Sequence, residues 1–157
     1  MTLERTLVFI KPGNSLRSKE IFEYLEDQLK RREIIFFERS APIRIHAVPE
    51  KLIRKHYENI KGKSFYEPTL KAYLECSDGI SLATYSGSGI IKALRRIIGD
   101  TDPKKAEPFT IRHIFGNDSF VEAYKEKRYL NNVIHASVSR KEAKRELNIW
   151  RDYINLK

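Results

Sequence analysis

A histidine and a glutamate near the C-terminus have the types and the spacing of a phosphate-transfer pair. His135 lies in an apolar run, 133–137, that predicts a short strand, and Glu146 follows on a predicted helix. Ser139 and Glu142 lie between them with the spacing of a capping box, which predicts the start of that helix. A helix N-terminus favours anions, so a histidine beside it is placed to attack phosphorus or to bind an anion. A carboxylate on the same helix can hold one ring nitrogen and leave the other free as a nucleophile.

His135 has an alternative interpretation, because a single histidine at a strand end is more often structural than catalytic. The chain has 4 histidines. His46, His56 and His113 lack the combination of a preceding asparagine, a following serine and a glutamate on the next helix. The sequence therefore favours His135 as the candidate nucleophile, and the other polar residues must support that choice.

Composition limits the class of protein. The chain has 157 residues, of which 41% are hydrophobic, so it can bury a core as one folded domain. Its 30 basic and 21 acidic residues give a net charge of +9. That balance favours anionic partners such as nucleotides, nucleic acid or acidic lipid, although a solvated surface explains it equally well. Cys76 is the single cysteine, which excludes an intrachain disulfide and a cysteine-rich metal site.

The hydropathy pattern argues against a membrane protein. No apolar run approaches the length of a membrane span. The first residues lead almost directly into a predicted strand, so we expect no signal peptide and a cytoplasmic location.

Hydrophobic periodicity predicts alternating strands and helices along the whole chain. The predicted strands cover 6–10, 34–45, 80–85 and 133–137, and the predicted helices cover 15–32, 49–60, 68–75, 88–98, 118–127 and 139–153. Pro42 predicts an edge or a bulge in the second strand. The order matches the split βαββαβ pattern of ferredoxin-like folds. We therefore expect an α/β (α+β) fold, with a four-stranded antiparallel sheet covered by helices and an extra C-terminal helix.

Three cations precede His135 in positions that suit phosphate. Lys11 ends the first predicted strand, Arg95 lies on the helix before the loop that starts at Gly99, and Arg112 closes that loop. Thr101 adds a hydroxyl between the two arginines. Phosphoryl transfer needs a nucleophile, cations that spread negative charge, and tight positioning. Taken singly, each of these cations is explained more simply as a solvated surface group. Thr101 is likewise explained as a residue that favours a turn.

In this order and spacing, the chain resembles the nucleoside diphosphate kinases from about residue 4 to residue 152. The matching fragments are Lys11-Pro12, His56-Tyr57, Phe65 with Pro68-Thr69-Leu70, Arg95 before Gly99-Asp100-Thr101-Asp102-Pro103, Thr110-Ile111-Arg112, Asn132-Val133-Ile134-His135-Ala136-Ser137, and Glu146 with Trp150. The resemblance implies a ping-pong exchange of the γ-phosphate between nucleoside triphosphates and diphosphates.

The resemblance also implies roles for individual residues. His135 is then the nucleophile and phosphate carrier, and Glu146 orients and polarises its ring with help from Ser137. Tyr57 supports the phosphate and the histidine. The residues implied to hold the rest of the nucleotide are Arg95, Thr101 and Arg112 for the phosphates, Lys11 and Asn132 for the ribose hydroxyls, and Phe65 with Leu70 and Ile60 for the base. Lys11 would also stabilise the transferring group.

Further consequences of the resemblance concern Mg²⁺ and assembly. Family members use Mg²⁺ held mostly by the nucleotide phosphates, so no metal-binding residues are expected in the chain itself. Members are hexamers or tetramers, so a homo-oligomer is expected.

The chain departs from the family in one long segment. The stretch 113–131 is about ten residues longer than usual and predicts an inserted helical excursion in the single domain, 1–157. In the family this stretch supplies a second apolar surface for the base, for which Tyr129 and Leu130 are candidates. The excursion and the basic charge leave open a second hypothesis, a nucleotide or single-stranded nucleic-acid binding module with weak or lost kinase activity.

Overall fold

A single antiparallel sheet forms the centre of the computed structural model, which describes residues 2–34 and 36–155. Its strands are β1 (Leu3–Ile10), β2 (Phe37–Arg39), β3 (Ile43–Ile45), β4 (Ile80–Ser88) and β5 (Ile134–Ala136). The order is β2-β4-β1-β5, and β3 also pairs with β4. This is the predicted ferredoxin-like α/β arrangement. It places β1 at the middle of the sheet, between β4 and β5.

The predicted count of four strands is wrong, because the segment 34–45 forms two short strands. β2 pairs with the stretch of β4 around Ser86, and β3 pairs with the stretch around Ser81, so the two lie end to end on one edge. Pro42 lies in the gap between them and has no N–H to donate to a ladder, which explains the break at the predicted position. Ile35, in the predicted strand, lies outside the described residues.

Helices cover both faces of the sheet. They are α1 (Ser18–Arg31), α2 (Glu50–His56), α3 (Tyr66–Glu75), α4 (Ile90–Ile98), α5 (Ile111–Phe115), α6 (Phe120–Lys125), α7 (Arg140–Ile149) and α8 (Arg151–Ile154). Short 3₁₀ turns lie at Ser15–Arg17, Glu58–Ile60 and Pro103–Lys105. The helix α5 was not predicted, and the last predicted helix is interrupted at Trp150. Within the described ranges, none of the helices has the length and apolar character needed to cross a membrane.

Alternation along β1 divides the interior into two apolar cores. Val8 and Ile10 face α1 and α4, whereas Leu7 and Phe9 face the side covered by α2, α3 and Trp150. All four side chains are fully buried, because helices cover both faces of this strand. The second core lies directly beneath the candidate site, so the residues that support the site are also core residues.

The start of α7 follows the predicted capping pattern. The Ser139 hydroxyl accepts a hydrogen bond of 3.1 Å from the Glu142 backbone N–H. This cap fixes the first turn of α7 immediately after β5. The same helix then turns Glu146 inward, where it is buried.

Candidate active site

His135 on β5 and the buried Glu146 on α7 form a hydrogen-bonded pair. The His135 Nε2 atom lies 2.9 Å from Glu146 Oε2, and the Ser137 hydroxyl donates a 2.6 Å hydrogen bond to the same oxygen. The His135 ring stacks on Phe9, its partner in the β1–β5 register, with centroids 4.7 Å apart. A carboxylate at Nε2 favours the tautomer that carries its proton there. The Nδ1 lone pair is then left for chemistry.

Glu146 is held in its charged form. Burial acts to raise its pKa, but the charge of His135 and the hydrogen bonds from His135 and Ser137 outweigh burial and bring the pKa to about 2. The carboxylate is therefore ionised throughout the neutral range. It can stabilise positive charge that develops on the imidazole when Nδ1 acts as a nucleophile.

The lowered pKa of Glu146 predicts a pH dependence of stability. A carboxyl whose pKa falls from 4.5 to about 2 on folding contributes about 3 kcal/mol above pH 4.5. This contribution disappears as the pH falls from 4.5 through about 2. Urea unfolding between pH 7 and pH 3 should therefore show a steeper loss for the wild type than for Glu146→Gln. The exposed Glu23→Gln is the matched control, and a wild-type slope in the Glu146→Gln protein would contradict the assignment.

His56 belongs to the site, although it lacks the neighbouring asparagine, serine and glutamate that marked His135 in the sequence. Its buried ring meets the His135 ring edge-on, with centroids 4.6 Å apart, and its Nδ1 accepts a 3.2 Å hydrogen bond from Trp150 Nε1. Burial, and then the neighbouring His135, lower the pKa of His56 well below its ordinary value. His56 is therefore a neutral wall beside the nucleophile. The only sequence signal for it was its place in the His-Tyr pair of the resemblance.

Arg145 ties two helices together beside the pair and was also missed. Its guanidinium donates to the backbone carbonyls of Lys55 (2.9 Å) and His56 (3.0 Å) at the end of α2. It also pairs with Glu142 one turn earlier on α7. A guanidinium is planar and donates hydrogen bonds in several fixed directions at once. Arg145 therefore holds α2 in a defined position relative to α7.

Arg112 is a buried cation of the site. Its Nε donates to the carbonyl of Asn132 (3.1 Å), Nη1 to that of Gly99 (3.1 Å) and Nη2 to that of Ile134 (2.8 Å). Burial and the nearby Arg95 lower the pKa of Arg112 to about 10, and burial also lowers the pKa of Arg95. Two guanidiniums that repel each other in a partly dry site favour an anion between them.

Lys11, Asn132 and Thr101 form a hydrogen-bonded chain. Lys11 Nζ donates to Asn132 Oδ1 at 2.6 Å, and Asn132 Nδ2 donates to the Thr101 carbonyl at 3.0 Å. Burial, and then the charge of Arg112, lower the pKa of Lys11 to about 7. Val133 follows Asn132 with a φ of 76°, a left-handed value that is strained for a β-branched residue. This tight turn leads directly into His135.

These groups line one cleft of about 830 Å³. Of the residues predicted for the site, those on its surface are Lys11, Tyr57, Phe65, Arg95, Thr101, Arg112, Asn132, His135 and Glu146. The Tyr57 hydroxyl lies 2.7 Å from that of Tyr73, which fixes the tyrosine against the core. Ile60, Tyr129 and Leu130 also line the cleft. Ser137 lies behind it, buried against Glu146.

Leu70 was predicted to lie beside the base, and its position contradicts that role. The side chain is 1% exposed within the second core and does not line the cleft, whereas Thr69 does. Positions four apart on a helix share a face, and one further residue turns the side chain by about 100°. Thr69 is four residues after Phe65 and therefore faces the cleft, while Leu70 faces the core.

A histidine hydrogen-bonded to an ionised glutamate, in a cleft shared with Lys11, Arg95 and Arg112 on an antiparallel α/β sheet, defines a phosphotransferase. Comparison with known proteins names the family: the family model described as "Nucleoside diphosphate kinase" matches residues 4–154. The chain belongs to the nucleoside diphosphate kinase family, and its activity is that of a nucleoside diphosphate kinase.

Individual relatives agree with the family assignment. The nucleoside diphosphate kinase of Streptococcus uberis is 35% identical over 150 residues, covering 94% of each chain. That of Thermococcus kodakarensis is 32% identical over 148 residues, covering 94% of this chain and 76% of the relative. Among solved structures, the transition-state mimic of the Borrelia burgdorferi enzyme with bound vanadate and ADP has a TM-score of 0.75 at 29% identity. It covers 94% of this chain and 86% of the other.

Proposed function

We propose that this protein exchanges the γ-phosphate of a nucleoside triphosphate with a nucleoside diphosphate through a phosphohistidine at His135. The observation that carries the proposal is the 2.9 Å contact between His135 Nε2 and Glu146, which leaves Nδ1 free beside a cationic cleft. A pure nucleotide binder gains nothing from an ionised carboxylate that orients this ring.

The reaction is two displacements at phosphorus. In the first, His135 Nδ1 attacks the γ-phosphorus, and the bond to the bridging oxygen breaks as the diphosphate leaves. In the second, a terminal oxygen of another diphosphate attacks the phosphohistidine, and the phosphorus–nitrogen bond breaks. Glu146 balances the imidazolium charge in both steps, and Ser137 holds Glu146 in place.

The remaining groups are assigned by their places in the cleft. Arg95, Arg112 and the Thr101 hydroxyl bind the phosphates, and Tyr57 supports the transferring group. Lys11 contacts both the transferring phosphate and, with Asn132, the ribose hydroxyls; their 2.6 Å hydrogen bond holds both groups ready. Phe65, 45% exposed at the start of α3, offers its ring face to the base. Stacking accepts every base, because each has a π-face.

Mg²⁺ fits this site as part of the nucleotide. The donors at the phosphate end of the cleft are cations and a hydroxyl, and Glu146 is already bound to His135 and Ser137. Hard oxygen ligands for Mg²⁺ therefore come from the phosphates and water. The ion supplies charge neutralisation of the phosphate oxygens when it is bound.

We further infer a homo-oligomer, a hexamer or tetramer, that acts in the cytoplasm on free nucleotides. Leu3, Phe36 and Phe109 are each more than 70% exposed, and contacts with other copies would remove this apolar surface from water.

The lowered pKa of Lys11 predicts that nucleotide binding takes up a proton. At pH 8 a lysine with a pKa of about 7 is mostly neutral, and a bound phosphate restores its charge. Affinity should therefore fall as the pH rises above about 7, by up to about tenfold per pH unit. Calorimetry of ADP binding at pH 8 in Tris and HEPES should report uptake of up to about one proton. Lys11→Met should abolish the uptake and exposed Lys144→Met should not; equal uptake in all three proteins would contradict the assignment.

The experiment that tests the function starts from γ-labelled ATP with Mg²⁺. The isolated protein should carry a label that survives base, is lost in acid and transfers to added GDP or CDP. Phosphoserine would survive acid, so the acid step separates the two. Absence of both the label and any exchange at micromolar protein would overturn the proposal.

A further inference from the structure

Lys11 is a buried amine without an acidic partner. The residue is 8% exposed and lines the cleft, and its Nζ donates to Asn132 Oδ1 at 2.6 Å. Within the described ranges, Lys11 forms no ion pair with a carboxylate. Burial without an opposite charge disfavours an ammonium ion relative to a neutral amine. The surroundings of this side chain therefore suit an uncharged nitrogen, whose lone pair can attack a small electrophile.

The titratable groups that face Lys11 supply no negative charge. Burial, and then repulsion from Arg112 on α5, lower the pKa of Lys11 to about 7. His56 on α2 is neutral, because burial lowers its pKa well below the ordinary value. The Tyr129 ring, 5.4 Å from Nζ, attracts a cation, but its hydroxyl stays neutral because burial raises its pKa. At pH 8 about nine in ten amines with a pKa near 7 are neutral, compared with fewer than about one in a hundred ordinary lysines.

Arg112 is placed to bind an anion formed on that nitrogen. Arg112 and Lys11 both donate to Asn132, the first to its backbone carbonyl at 3.1 Å and the second to its side chain at 2.6 Å. A guanidinium has five N–H groups. Arg112 uses three of them for the carbonyls of Asn132, Gly99 and Ile134, which leaves two without a partner among the described residues. A small carboxylate on Lys11 therefore has donors beside it in the same cleft.

We propose that Lys11 Nζ is a carbamylation site for carbon dioxide, and that its carbamate and a bound nucleotide exclude each other. The nitrogen lone pair attacks the carbon of CO₂, so that a C–N bond forms and one C=O electron pair moves to oxygen. The nitrogen then releases one proton to water, which leaves a carbamate with a negative charge and one N–H. That N–H keeps the hydrogen bond to Asn132 Oδ1, and the carbamate oxygens accept hydrogen bonds from Arg112. No atom is oxidised or reduced.

The mutual exclusion rests on the proposed function, which assigns Lys11 to the phosphates. A carbamate replaces a cation with an anion at the phosphate end of the cleft, so it repels a nucleotide. A bound phosphate in turn restores the ammonium form of Lys11, which has no lone pair to attack CO₂. Carbon dioxide therefore acts as a reversible inhibitor that the nucleotides displace.

Chemical trapping measures the modification itself. Nucleotide-free protein is incubated at pH 8 with carbon-13 bicarbonate, which supplies CO₂, then ethylated with a trialkyloxonium salt and digested for mass spectrometry. The labelled ethyl carbamate should appear on Lys11 and not on the exposed Lys144. Saturating ADP should remove it. Label spread equally over the two lysines, no label on Lys11, or label that ADP leaves unchanged would overturn the proposal.

Calorimetry of ADP binding at constant pH and ionic strength measures the exclusion. With about two-thirds of Lys11 carbamylated, the wild-type affinity should fall about threefold when bicarbonate replaces chloride. Lys11→Arg keeps the cation but has no amine to modify, so its affinity should stay the same, whereas Lys144→Arg should respond like the wild type. An equal loss in Lys11→Arg would show that bicarbonate only competes for the phosphate site, and would overturn the proposal. A Lys11 carbamate that ADP displaces, in a protein that takes no label from ATP, would retain this site and lose the proposed function.

Discussion

Replacing His135 with alanine is expected to abolish the phosphoenzyme and to lower exchange between ATP and GDP by at least about 10⁴-fold, because Nδ1 of His135 is the proposed nucleophile. The neighbouring His56 cannot substitute. Its ring is 2% exposed, and its Nδ1 accepts the Trp150 hydrogen bond. The label from γ-labelled ATP and the exchange rate, measured side by side, provide the check.

The control for this prediction is the affinity of the His135→Ala protein for ADP, measured separately from its exchange rate. The phosphate groups are assigned to Arg95, Arg112 and Lys11, and among the residues that the structure describes none of these three forms a hydrogen bond with His135. ADP affinity should therefore remain within about threefold of the wild type. The exposed His46→Ala should keep full activity. If His135→Ala carried as much label as the wild type, the nucleophile would have to be another residue.

Replacing Arg112 with alanine is expected to be the most damaging change to stability within the site. One guanidinium satisfies three backbone carbonyls, that of Gly99 after α4 and those of Asn132 and Ile134 at the start of β5. Its removal leaves these acceptors without their donor in a buried region, at about 1 kcal/mol or more for each. We expect a loss of about 3 kcal/mol in the free energy of unfolding and a fall in Tm of about 10 °C.

Urea unfolding of Arg112→Ala, Arg112→Lys and the exposed Arg96→Ala measures this effect. Lysine keeps a charge but has no planar fork, so it should recover less than half of the lost free energy. Arg96→Ala should stay within about 0.5 kcal/mol of the wild type. A loss below about 1 kcal/mol in Arg112→Ala would show that water replaces the guanidinium. Activity should fall in both Arg112 variants, because the same group is assigned to the phosphates.

The segment 113–131, predicted to be an insertion, shows how much of the fold local sequence can predict. The pattern around Phe120 and Tyr124 predicted a helix at 118–127, and the structure has α6 there. The hydrogen bonds that Arg128 and the Asn131 backbone N–H donate to Asp118 could not be predicted, because these residues meet only after the chain has turned back. The small helix α5 was missed for a related reason: it is 5 residues long, too short for periodicity to show.

Leu70 and His56 show a second limit of what can be predicted from the sequence. The resemblance placed a leucine after Phe65, but helix phase turned Leu70 into the core and Thr69 toward the cleft. His56 carries no local signal of its place beside His135, because the two residues are 79 positions apart in the chain (135 − 56). A contact between segments so distant depends on the sheet register and on helix packing.

The sequence by itself determined most of the helices and strands, the ferredoxin-like order and the residue types at the chemical positions, since these follow from local periodicity, capping and motif spacing. Only the tertiary structure decided that β5 sets His135 against Phe9, that Arg112 joins the end of α4 to the start of β5, and that burial lowers the pKa of Lys11 to about 7. These properties arise from the removal of water and from neighbours that come together only when the sheet and its helices pack. The sequence specifies these properties, but they can be recognised only in the folded structure.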